Sequence, residues 1–397
     1  MPKGTGKRDL AKIFLKFCIC PDANCEDGFR IMSRFAFTLL TGVLLLGGNL
    51  TASAAEPGHF TNPLREGADP WVIRDEAGQR WLWCTAPKAE RIVIRTTPTL
   101  TAPGTEHEIW QTPPTGPASA QVWAPELHFL AGHWYLYFAA SDGRNETHRA
   151  FVLSADSADP IGSWTLLAPL ATGAGPDGNS PPIWAIDMTI LDHGGNRYAV
   201  WSGWDTPESD RQFLYIARMA TPLALTGPRV RICRNDDYLW ERTEETTESR
   251  GLNEGPQVLQ HAGRTFLLYS CGAAWLPTYK LGLLELTGRD PLDPASWRKH
   301  PRPVFQSTAQ TFGVGHSCFV NTSLLPIPTI KSSLAPSESP TWWHIYHAKR
   351  DRSAGWPRDL FLQPFHFDPT GFPEFGKPLA PGSRLPVPVE RGMQITK

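Results

Sequence analysis

Five motifs recur along this chain at nearly even spacing, and each sets one polar residue at the head of a strand-like run. They are Asp69 in Gly-Ala-Asp-Pro-Trp, Glu126 in Trp-Ala-Pro-Glu-Leu, Asp187 in Ala-Ile-Asp-Met-Thr, Glu254 in Asn-Glu-Gly-Pro and His316 in Gly-Val-Gly-His-Ser, separated by 57, 61, 67 and 62 residues. Behind each comes an aromatic-rich strand, in four units opened by a Gly turn: 78 to 84, 132 to 138, 195 to 201, 263 to 269 and, opened by Pro-Thr, 340 to 347. A third apolar strand follows at Ile92 to Ile94, Ala150 to Leu153, Phe213 to Ala217, Leu281 to Leu286 and Leu360 to Phe367. Strands separated by turns and repeated five times predict an all-β chain, a five-bladed β-propeller of four-stranded antiparallel blades. Long runs at the helical period are missing after residue 56, and Pro recurs too often for one to persist.

In such a ring every unit delivers its leading polar residue toward a common axis. Four carboxylates and an imidazole then share one pocket, and crowded carboxylates are what acid/base hydrolysis needs. The balance of 38 basic against 39 acidic residues offers no field to attract nucleic acid or an anionic membrane, so a neutral substrate fits better. Sixteen Trp, 19 Phe and 8 Tyr supply flat rings that stack on sugars as readily as they fill a core.

The amino terminus divides by composition. From Met32, Ser33-Arg34 leads into an apolar run from Phe35 to Leu46 that ends near Ala52-Ser53-Ala54-Ala55, the layout of a signal peptide. Residues 1 to 31, with Cys18, Cys20 and Cys25, then form an upstream extension, and 56 to 397 form the catalytic domain. An uncleaved membrane anchor is the competing reading of the same run. With the signal removed the protein is secreted or periplasmic, with no stable membrane association. Cys84, Cys233, Cys271 and Cys318 remain, spaced too far apart for a zinc motif, and are expected to be buried free thiols. Two stretches read as inserted loops, Ala171 to Pro182 and Lys331 to Pro340, and the charged run Glu241 to Arg250 reads as a solvated loop at the pocket rim.

Taken singly, each polar residue also has a structural reading. Asp69 before a Pro can fix a turn, Asp187 can cap a strand end, Glu254 can pair with Arg250 or Arg264, and His316 can be a satisfied core histidine. Three acids in registry at blade heads favour the site.

In order and spacing these motifs, from about Asn62 to Pro378, resemble glycoside hydrolase family 43, five-bladed propellers acting on arabinose- and xylose-containing polysaccharides. The resemblance implies Asp69 as general base, Glu254 as general acid, and Asp187 as the carboxylate that orients the acid, sets its pKa and itself stays charged. An inverting pair stands ~6.5–9.5 Å apart, leaving room for a water. The resemblance also implies that Arg358 reaches sugar hydroxyls, although a pairing with Asp359 or Asp351 would look the same in sequence. It requires no cofactor, and it allows a structural calcium in the central channel, with His316 reaching it through water. Glu126 is expected to anchor nearby loops, with an Arg as a candidate partner. Trp71, Trp123 and Trp184, next to the carboxylates, are candidate walls for the sugar, some of them core. Asn-Pro-Leu before Asp69 and Trp-Glu-Arg before Glu254 look most like exo-acting α-L-arabinofuranosidases, with plant cell-wall arabinan or arabino-oligosaccharide as partner. The residues after the last blade leave no room for an appended β-sandwich. The alternatives are a β-xylosidase or endo-arabinanase of the same fold, or a propeller that only binds polysaccharide.

Overall fold

The computed structural model describes residues 58–173, 182–323 and 341–390. The extension and signal peptide expected at 1 to 55, most of the first inserted loop and all of the second lie outside the described residues. Five antiparallel sheets follow one another around a ring. Blade one is Trp71–Asp75, Arg80–Thr85, Arg91–Thr97 and Thr105–Gln111. Blade two is Ala120–Leu130, His133–Ser141, Arg149–Ala155 and Trp164–Leu166. Blade three is Ala185–His193, Asn196–Trp204, Gln212–Thr221 and Ala224–Cys233, and blade four is Asn253–His261, Arg264–Cys271, Lys280–Leu286 and Trp297–Lys299. All of the expected second and third strands are present.

Blade five closes the ring with a strand borrowed from the other end of the chain. Phe312–Asn321, Trp342–Lys349 and Arg358–Phe367 come from the C-terminal part, and Arg65–Glu66, which precedes blade one, pairs along Arg358–Phe367 as the fourth strand. His59–Thr61 pairs with Arg384–Pro386 beside it. Buried Asn62 locks the join: its Nδ2 donates to the Leu362 carbonyl at 2.8 Å and its Oδ1 accepts from the Leu362 N–H at 3.0 Å. This closure carries Asp69, three residues past Glu66, directly onto blade five.

The core lies between blades. Strand residues alternate faces, and each sheet is covered on both sides by neighbours, so inner and middle strands are apolar nearly throughout. Leu82, Ile92, Leu127 and Phe138 fill the gap between blades one and two, and Val72, Trp83, Cys318 and Trp343 fill that between five and one. Each such buried side chain stabilises the fold by roughly 1.5–3 kcal/mol. The four cysteines from Cys84 onward are buried and free.

Candidate active site

The inner strands share one local device. Four of them break register at a two-residue bulge, Ala124-Pro125, Asp187-Met188, Gly255-Pro256 and His316-Ser317, and Asp69-Pro70 stands at the same place ahead of blade one. The first residue of each pair is left-handed, with φ of 49° at Asp69, 43° at Ala124, 55° at Asp187, 54° at Gly255 and 48° at His316. Bulges release ladder hydrogen bonds and re-aim side chains, which is why Pro is tolerated second in two of the four, and it follows Asp69 ahead of its strand as well. Such backbone is costly for non-Gly residues and concentrates at functional sites.

The five polar residues therefore do not occupy equivalent positions. Asp69, Asp187 and His316 are bulge residues, Glu254 stands one residue before its bulge, and Glu126 one residue after. Glu126 is buried in a layer with the residues at its own position in blades three and four, Thr189 and Gln257. Both donate to it, and His128 Nε2 lies 3.0 Å from its Oε2. Its partners are thus polar neutral groups, where an arginine had been a candidate. Burial raises its pKa well above the usual range, the Thr189 and Gln257 donors oppose this, and Asp187 adds to it.

Asp69 is half-buried, with 22% of its side chain accessible. Its Oδ1 lies 3.3 Å from Arg358 Nη1, 3.3 Å from His316 Nδ1 and 3.3 Å from His347 Nδ1. Burial works to raise its pKa, but the Arg358 charge beside it opposes burial, and the carboxyl is held well below the usual range. Burial brings His347 down to about 3 and also lowers His316, so both imidazoles are neutral at pH 7 and Arg358 supplies the standing positive charge. Asp69 is then an ionised carboxylate fit to accept a proton from water.

Glu254 receives two hydrogen bonds, from the Tyr279 hydroxyl at 2.8 Å and from Gln212 Nε2 at 3.1 Å. Burial raises its pKa, Tyr279 and then Gln212 oppose the rise, and the charge of Asp69 adds to it, for a net increase. Asp187 Oδ2 accepts the Gly255 N–H at 2.9 Å, a donor freed by the blade-four bulge. Burial, then the charges of Glu254 and Asp69, lift its pKa well above the ordinary range. Asp187, expected to stay charged, and Glu254 both lie in surroundings that raise their pKa and favour the protonated carboxyl. One ionised and one proton-bearing carboxyl centre around Arg358 form an acid/base arrangement.

Several expected partners resolve differently. Glu254 pairs with neither arginine: Arg264 holds Glu285, and Arg250 reaches Glu254 only through Gln212, whose Oε1 it bonds at 3.3 Å. That contact turns the amide so that Nε2 faces Glu254. Arg358 pairs with Asp69 and with neither acid considered for it, since Arg350 takes Asp359 and Ser353 bonds Asp351. Trp184 is not a sugar wall: it is buried, stacked on Trp204 with centroids 5.0 Å apart, and its Nε1 donates to the Asn145 carbonyl at 2.8 Å. Trp71 is half-buried, its Nε1 tied to the Leu127 carbonyl at 2.6 Å and its ring against His128. Trp123 is half-buried and gives one face to His148, with centroids 3.8 Å apart. The charged run is not wholly solvated, because Glu241 is fully buried and accepts from Asn253 Nδ2, Tyr269 and Lys299, which anchors the residue preceding Glu254.

Gln212 opens the third strand of blade three, Tyr279 immediately precedes that of blade four and His347 lies near the end of the second strand of blade five; they went unnoticed because the repeat marks second and third strands only by aromatic or apolar content. His347 ends the aromatic-rich stretch 340 to 347, and its ring stacks on Tyr279 at 8° with centroids 5.6 Å apart. For calcium the donor set is poor. His316 Nδ1 faces Asp69, the nearby charge is a guanidinium, and among the described residues no group of three or more His, Cys, Asp or Glu could hold a metal ion. These residues do not fit a directly coordinated calcium.

Three interacting carboxyls at or beside the inner-strand bulges of a five-bladed propeller are the equipment of a glycoside hydrolase. The sequence model of "Glycosyl hydrolases family 43" matches residues 60–373, and the chain belongs to that family. An extracellular exo-α-(1→5)-L-arabinofuranosidase of Streptomyces chartreusis is 35% identical over 286 residues, 70% of this chain and 83% of that relative. One from Streptomyces avermitilis is 33% identical over 89% of this chain and 71% of its own length. Among solved structures, an α-L-arabinofuranosidase from Lactobacillus brevis superposes with a TM-score of 0.68 at 30% identity, covering 82% of this chain and 98% of that one.

Proposed function

We infer that this chain is an exo-acting, inverting α-L-arabinofuranosidase that releases terminal arabinose from arabinan or arabino-oligosaccharides. The observation that carries the reading is that Asp69, Asp187 and Glu254, from three blades, lie in one another's electrostatic field with Arg358 acting on all three. The arabinofuranosidase names of its relatives support the substrate. Asp69, held ionised by Arg358, takes a proton from a water attacking the anomeric carbon. Glu254 gives its proton to the departing oxygen, and Asp187, which lies in its electrostatic field and bonds the neighbouring Gly255 N–H, helps to keep the acid's pKa high. Arg358 pins the base and offers its free edge to the sugar hydroxyls. Two relatives are named extracellular, which supports an exported enzyme acting on plant cell-wall polysaccharide.

The test is hydrolysis of 1,5-α-L-arabinan followed by proton NMR. Free arabinose with the β-anomer appearing first is expected. A ladder of oligosaccharides would make the enzyme endo-acting, xylose release from xylo-oligosaccharides would make it a xylosidase, and binding without turnover would make it a lectin.

A further inference from the structure

Trp356 is the most exposed large hydrophobic side chain among the described residues, at 60%. Its loop is firmly held nonetheless. The Gly355 N–H donates to the Trp275 carbonyl at 2.9 Å, Lys349 Nζ donates to the Gly355 carbonyl, and Arg358 Nε donates to the Trp356 carbonyl at 3.3 Å. The indole is thus held in place while most of its surface stays open to solvent. Trp275, from the segment following the second strand of blade four, lies beside it with ring centroids 5.6 Å apart and planes at 56°. The Arg358 guanidinium carbon is 5.5 Å from the Trp356 ring centroid, and the same guanidinium contacts Asp69. The exposed ring is thus one side chain away from the base, on the side of blade four, whose inner strand carries Glu254.

We propose that Trp356, backed by Trp275, is the platform on which the arabinose unit next to the cleaved one stacks. This rests on the arabinofuranosidase reading above. The acid must reach the oxygen that leaves with the neighbouring sugar, so that sugar lies toward blade four, where the indole pair stands. The apolar C–H face of a pentose is the chemistry a bare indole face accepts, and the oxygens on its other edge stay hydrated. A cation above the ring edge strengthens the site without closing it.

The experiment compares kcat/KM for 1,5-α-L-arabinotriose with that for methyl α-L-arabinofuranoside, which has no second sugar. For Trp356→Ala the ratio is expected to fall about tenfold, equivalent to about 1.4 kcal/mol, and Trp356→Phe should restore most of it. Trp356→Leu keeps the bulk without a flat ring and should behave as the Ala variant does, which keeps the test open if the latter does not fold. An unchanged ratio, or an equal loss on both substrates, overturns the platform. A wild-type enzyme that cleaves neither substrate instead removes the arabinofuranosidase reading on which the platform depends.

Discussion

Replacing Gln212 by Met removes one donor from the acid and should be visible in the pH profile. Gln212 Nε2 donates to Glu254 Oε2 at 3.1 Å and lies 3.3 Å from Ser202 Oγ, while Arg250 fixes the other end of the amide. An amide N–H can only donate, so it stabilises the carboxylate over the carboxylic acid. A hydrogen bond to a charged group contributes about 1.5–3 kcal/mol. The length of this one and its sharing with Ser202 place it at the lower end, and about 1.4 kcal/mol corresponds to about one pKa unit. The sign follows: without the donor the ionised form of Glu254 is less stable, its pKa rises, and the acid stays protonated to higher pH. The alkaline limb of kcat/KM, measured on a substrate whose leaving group needs the proton, should move up by about one unit. Arg250→Met, which frees the amide to turn, should produce a smaller shift the same way. A limb that stays in place, or moves toward acid, would refute the assignment of that limb to Glu254 and the role of Gln212.

Asp69→Asn should lower kcat by at least about 10²–10⁴, the share of a positioned base, with the melting temperature little changed; retention of activity in a steady-state assay would rule Asp69 out as base. Gly255→Ala should lose activity and about 1 kcal/mol or more of stability in denaturant melts, because a Cβ there would stand 3.1 Å from His316 Nδ1 on a backbone at φ 54° that favours glycine. Burial raises the pKa of Glu126, so folding favours its protonated form relative to the unfolded chain, and its contribution is complete at acid pH and fades as pH rises past the unfolded value. Glu126→Gln can still bond His128 and Gln257 and should flatten the alkaline fall of thermal stability, whereas Glu126→Ala should cost about 1–3 kcal/mol; an unaltered pH slope in the Gln variant would mean that Glu126 is ionised. Dialysis against EDTA should leave turnover unchanged, and a loss restored by calcium would demand a cation site that the residues around His316 do not provide.

The repeat made the blade count and the strand order legible because alternation and turn residues act locally, within a dozen residues. Ring closure was not legible in the same way. Arg65–Glu66 belongs to blade five only because a propeller leaves one blade short of a strand, and two residues carry no signal of their own. Yet that pairing delivers Asp69 to Arg358, His316 and His347, so the electrostatics of the base depend on a contact between chain ends.

Sequence spacing also hid the phase of each polar residue within its bulge. Aligned on the left-handed residue, blade four offers Gly255, and its acid stands one position earlier. A carboxylate at position 255 itself would sit where a mere Cβ already crowds His316. Glycine there lets the backbone N–H, released by the bulge, point at Asp187, while Glu254 projects between Tyr279 and Gln212. The offset of one residue is therefore what brings acid and modulator into contact through a backbone amide. It follows that inserting or deleting one residue at this bulge should abolish activity even where the blade still forms.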